Sequence, residues 1–176
     1  MTNDKIGWKG VALPIIAVVM IFGVGYIIGQ YQKGNALPQG IGTGDDDFWT
    51  IATTHPSWAA DAVRTAPVLI FTHSTNCDPC IEQADICDSV NERYSTQISY
   101  FDFVSGIDPE APACFDAYDP DDGTHYIPLT VVLTMGPDGA ILWHSWEGVV
   151  EESTLSGWVE QAIEYNEQYG SGTYAR

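Results

Sequence analysis

The chain has 176 residues, of which 45% are hydrophobic and 12% aromatic, enough apolar matter for a packed core and too much for a disordered polymer. Its 24 acidic residues outnumber six basic ones, for a net charge of −18. A surface of that sign repels the phosphates of nucleic acid and of anionic lipid, so nucleic acid is excluded as a partner.

Residues 1–10 carry Lys5 and Lys9 against Asp4, and residues 11–29 carry no charge. At about 1.5 Å per residue, a helix over 11–29 nearly spans a bilayer core. Basic residues ahead of the span predict a cytoplasmic tail over 1–10 and everything after residue 29 outside the cell membrane. No small-x-small cleavage site follows in Gln30 to Ala36, so the span reads as a single-pass anchor and not a removed leader. Residues 30–47 are rich in Gly and Gln and end in Asp45-Asp46-Asp47, a flexible acidic linker. A folded domain is expected over 48–169 and a tail over 170–176.

Of the acidic residues, 23 lie beyond residue 33, facing only Arg64, Arg93 and Arg176 and no lysine. In dilute buffer such a domain repels itself. In molar salt the Debye length falls to about 3 Å and the repulsion is screened. The composition predicts a salt-loving source, a halophilic archaeon.

Inside the domain, Val68 to Thr72 is an apolar, β-prone run introduced by Pro67, which predicts a buried strand. A short turn leads to Cys77-Asp78-Pro79-Cys80. After it, Ile81, Ala84, Cys87 and Val90 recur at helical spacing. The C-x-x-C pair therefore opens a helix, where unpaired N–H groups stabilise a thiolate. Pro79 suits the first turn, where its missing N–H costs nothing. Asp78 opposes the thiolate with its own charge, which favours a reductant over a strong oxidant.

Cys114, in Ala111 to Phe115, is expected on a short helix, and Asp116 to Gly123 reads as a solvated acidic loop. Tyr126 to Leu133 is a strand with Pro128 near its start, where proline is tolerated. Gly136-Pro137-Asp138-Gly139 predicts a turn into a partner strand, Ala140 to Trp143. Beyond Gly148, Leu155, Trp158, Val159, Ala162 and Ile163 share one helical face.

This order of strand, C-x-x-C, helix, strand, helix, Ile-Pro strand, hairpin, glycine and helix resembles the thioredoxin superfamily over residues 58 to 167. The resemblance implies an α/β fold, a central mixed β-sheet with helices on both faces. It implies a cis Pro128 lying over Cys77. It makes Cys77 the attacking sulfur and Cys80 the recessed, resolving one. Ile127, Pro128, Asp78 and Pro79 would border the substrate. No cofactor beyond the redox-active Cys77–Cys80 disulfide is implied. The partners would be protein thiols and disulfides, and a membrane protein that donates electrons. The acidic residue and proline between the cysteines also resemble tethered thioredoxins of cytochrome c maturation.

The chain departs from the family at two places. Asn76 stands where a tryptophan usually precedes the first cysteine. Phe71 stands where a buried aspartate usually serves the resolving thiol. Glu82 and His73 are the nearest candidates in sequence to take over its role.

Two other readings stay open at this level. Cys77 and Cys80 with His125, and His73 nearby, could form a copper- or zinc-binding or copper-delivery module. Alternatively, the C-x-x-C could be a structural disulfide in a non-catalytic interaction domain. Four cysteines also admit a second disulfide, Cys87–Cys114. The resemblance puts their helices on opposite faces of the sheet, which opposes that pairing.

Overall fold

The computed structural model describes residues 49–51, 54–119 and 124–170. The expected tail 1–10, the span 11–29, the linker 30–47 and residues 171–176 lie outside them. Among the described residues no helix is long and apolar enough to cross a membrane.

The elements in chain order are β1 (Thr50–Ile51), α1 (Ser57–Val63), β2 (Val68–His73), α2 (Asp78–Tyr94), β3 (Ser99–Val104), α3 (Ala111–Tyr118), β4 (Leu129–Met135), β5 (Ile141–Glu147) and α4 (Glu152–Tyr165). The five strands form one mixed sheet in the order β1-β5-β4-β2-β3. The β2–β3 pair is parallel, joined by α2 as the crossover, and the β2–β4, β4–β5 and β1–β5 pairs are antiparallel. The central strands are buried on both sides, which is why β2 reads as an unbroken apolar run and not as an alternating one.

The pleat sends alternate residues of β2 to opposite faces, and each face has its own core. Leu69 and Phe71 join Val132, Leu142, Cys87 and Val90 of α2, and Leu155, Val159 and Ala162 of α4. Val68 and Ile70 join Val131, Leu133, Ala59 and Val63 of α1, and Cys114, Phe115 and Tyr118 of α3. The two layers of helices thus cover both faces of the sheet.

Several element boundaries differ from the sequence expectation. β4 starts at Leu129, because Pro128 has no N–H to give to a ladder. The hairpin turn is tighter than a four-residue loop. Pro137–Gly139 is one 3-10 turn, with Asp138 at φ 58 and Gly139 at φ 75, closed by Gly136 N–H donating to Ala140 O at 2.8 Å. β5 runs on to Glu147, pairing the whole length of β4. Asp116 to Tyr118 belong to α3 and not to a loop, because Tyr118 is wholly buried against the sheet.

Candidate active site

Strand register brings four loops to one end of the sheet. β2 ends at His73, beside Val104 at the end of β3. Leu129, the first residue of β4, pairs with Thr72 on one side and with Glu147, the last residue of β5, on the other. The segments 74–77, 105–107, 126–128 and 148–150 therefore leave the sheet at the same end.

Cys77 sits at that end as the N-cap of α2, in extended conformation, with Asp78 and Pro79 in the first turn. Cys77 O accepts from the N–H groups of Cys80 at 3.0 Å and of Ile81 at 3.3 Å. The two sulfurs form a disulfide, S–S 2.11 Å, with Cα atoms 5.1 Å apart. Their environments are unequal. Cys77 is half-buried, whereas Cys80 is 2% exposed under the first turn. A reagent in solvent meets Cys77 before Cys80.

Across the same end, the Ile127–Pro128 peptide is cis, and Pro128 is buried beside a half-buried Ile127. Pro128 O accepts from Gly148 N–H at 2.8 Å, which ties this loop to the one after β5. The strand order, the crossover helix carrying the C-x-x-C and this cis proline complete the expected pattern. The fold is thioredoxin-like.

No family model matches the chain, and no curated protein does. Solved structures similar to it are a chloroplastic thioredoxin z, thioredoxin-2 of the malaria parasite and the thioredoxin of Fasciola hepatica. The first is 16% identical, over 63% of this chain and 91% of that one, with a TM-score of 0.47. The second is 11% identical, over 55% of this chain and 82% of that one, with a TM-score of 0.44. The third is 14% identical, over 55% of this chain and 81% of that one, with a TM-score of 0.42.

The buried stripe of α2 is shifted from the expected one. Cys80, Gln83, Cys87, Val90 and Tyr94 face inward, while Ile81 is 64% exposed. Ile81, Ile107, Tyr126 and Val149 are four of the five exposed large hydrophobic residues among the described residues, and all lie at or next to the four loops. Ile51, the fifth, pairs with Leu142 and sits at the far end.

Gln83 is the residue that sequence reasoning missed. It is fully buried one turn beyond Cys80, on the stripe that spacing from Cys80 would have revealed.

The two histidines do not converge with the cysteines into a metal set. His73 Nε2 lies 3.0 Å from Asp102 Oδ1, and the ring stacks on Phe71 at 4.7 Å. His125 Nδ1 lies 2.7 Å from Asp119 Oδ2, with its ring 4.9 Å from Phe115. Among the described residues no group of three or more His, Cys, Asp or Glu side chains is placed to hold a metal ion. The alternative reading of a Cys77, Cys80 and His125 site finds no support in this geometry: each imidazole is engaged by a carboxylate. Burial pushes the Asp102 pKa up from the usual carboxylate value, and His73 offsets part of that rise. Phe71 is wholly buried, so the place of the family's aspartate is apolar here, and Glu82 is exposed.

The Cys87–Cys114 disulfide is also corrected. Both cysteines are free and buried, each in the core on its own face of the sheet. Burial raises the Cys87 pKa to about 12, despite the hydrogen bond from Gln83 that lowers it. Burial likewise raises Cys114 to about 11. Neither is a nucleophile near neutral pH.

Proposed function

We propose that this protein is a membrane-tethered, extracytoplasmic thiol–disulfide oxidoreductase that reduces or isomerises protein disulfides. The observation that carries the reading is the inequality of the two sulfurs. Cys77 is reachable at a helix N-terminus, and Cys80 is shielded one turn behind it.

In the reduced chain the Cys77 thiolate attacks a substrate disulfide. A Cys77–substrate S–S bond forms, and the other substrate sulfur leaves as a thiolate. The Cys80 thiolate then attacks Cys77, forming Cys77–Cys80 and releasing the second substrate thiolate. The substrate gains two electrons and the chain loses two. A membrane dithiol protein would return them. The exposed Ile81, Tyr126 and Val149 supply apolar area for an unfolded or extended substrate, whose backbone would lie along Ile127 before Pro128. Asp78 and Pro79, exposed in the first turn, would border the same substrate.

Tethering rests on the uncharged stretch 11–29 behind Lys5 and Lys9. The salt-loving source rests on the acidic, lysine-free composition beyond residue 33.

The test is turnover. In molar KCl, the full-length chain supplied with a dithiol donor should reduce insulin disulfides, and Cys77→Ser should abolish it. A wild-type chain that stays oxidised under mild reductant and reduces nothing would mark the C-x-x-C as a structural disulfide.

A further inference from the structure

We infer that Gln83 is a positioning residue that ties the loop 148–150 to the C-x-x-C helix and so sets the wall against which a protein substrate is held. The inference rests on the oxidoreductase reading above.

Gln83 is 0% exposed, on the buried face of α2. A buried amide is costly unless both of its ends are satisfied. Here both are. Its Oε1 accepts from Val150 N–H at 2.8 Å, and its Nε2 donates to Cys87 Sγ at 3.4 Å. An apolar side chain of the same size would fill the space equally well. What it could not do is accept from Val150.

The other end of the loop is held as well. Gly148 N–H donates to Pro128 O at 2.8 Å, and its φ of +79 turns the chain as glycine alone does freely. The loop is thus pinned to the Ile127–Pro128 segment at one end and to α2 at the other. Val149, between the pins, is 41% exposed. Gln83 lies three residues after Cys80, so the bridge fixes the Val149 wall relative to the reacting sulfurs.

The test compares two substrates of the full-length chain in molar KCl: insulin, which must lie against the wall, and a small aromatic disulfide, which need not. Gln83→Met preserves volume and removes the acceptor. The expected result is a KM for insulin raised about tenfold, the factor that one hydrogen bond of ordinary net strength supplies. The kcat for insulin and both constants for the small disulfide should hold, and amide exchange at Val150 should quicken. An unchanged insulin KM overturns the inference, and so does unchanged exchange at Val150. An equal loss on both substrates overturns it too, since that is the mark of a merely structural role. Should Gln83→Met not fold, Gln83→Asn, one methylene shorter, makes the same comparison. Failure of the wild-type chain on both substrates sinks the oxidoreductase reading together with this one, and it is seen before any variant is compared.

Discussion

Cys87 and Cys114 are both wholly buried, and the sheet lies between them. The four cysteines therefore divide by position into a disulfide-bonded pair at the sheet's end and two single thiols inside it. Each of the two inner thiols is held protonated by its burial.

Alkylation should show that division. On the native chain after mild reduction, Cys77 should label first at neutral pH, and Cys87 and Cys114 only after unfolding. Mass spectrometry of digested peptides reads the order. A peptide linking Cys87 to Cys114, or rapid labelling of either in the native state, would contradict the structure.

Removal of the resolving sulfur should trap substrates. Cys80→Ser should accumulate mixed disulfides on a non-reducing gel of cell extracts, because the step that releases Cys77 is lost. Cys77→Ser should trap few, since the remaining sulfur is 2% exposed. Equal trapping by the two variants would remove the distinction between the sulfurs.

Ile81 is exposed beside the C-x-x-C and stands outside the buried stripe of α2. Ile81→Ser, at a position 64% exposed, should change stability by less than about 0.5 kcal/mol. It should raise the KM for insulin and leave the small disulfide unaffected. A large drop in melting temperature would place Ile81 in the core after all.

Acid should weaken the fold partly through His55. Its Nδ1 lies 3.1 Å from the Tyr118 hydroxyl, and burial lowers its pKa below the ordinary 6.5. The unfolded chain then binds the proton more readily, so the stability His55 contributes is full above about pH 6.5. It is lost as pH falls through the native value. Urea unfolding in 3 M KCl, about 20-fold the physiological ionic strength, should show a pH-dependent loss from 7.5 to 5 that is smaller in His55→Gln. Identical slopes in the two proteins would clear His55 of any part.

Low salt should unfold the domain. Arg93 reaches Glu152 and Ser156, and Arg64 lies 3.7 Å from Asp61, so the described arginines are engaged locally and the acidic excess stays uncompensated. Screening at about 3 Å, as in molar salt, should restore the fold. A melting temperature that is flat from low to molar KCl would refute the halophilic reading.

Much of the fold was legible because it is written locally. An apolar run after Pro67 can only be buried on both sides. A C-x-x-C with Pro79 belongs in a helix's first turn. Pro-Asp-Gly at 137–139 makes a tight reversal, with Asp138 and Gly139 both taking positive φ. These are properties of neighbouring residues, and the chain carries them wherever it goes. The phase of α2 is not of that kind. Ile81, Ala84, Cys87 and Val90 and the stripe through Cys80, Gln83, Cys87, Val90 and Tyr94 both fit a helical period. Apolar spacing favoured the first stripe, but packing against Leu69 and Phe71 selected the second, which turned Ile81 out and Gln83 in. The partners of His73 and His125, and the separation of Cys87 from Cys114, were decided in the same way. A periodicity says that one face of an element is buried. Only the sheet beneath says which face, and what polar group must be met there.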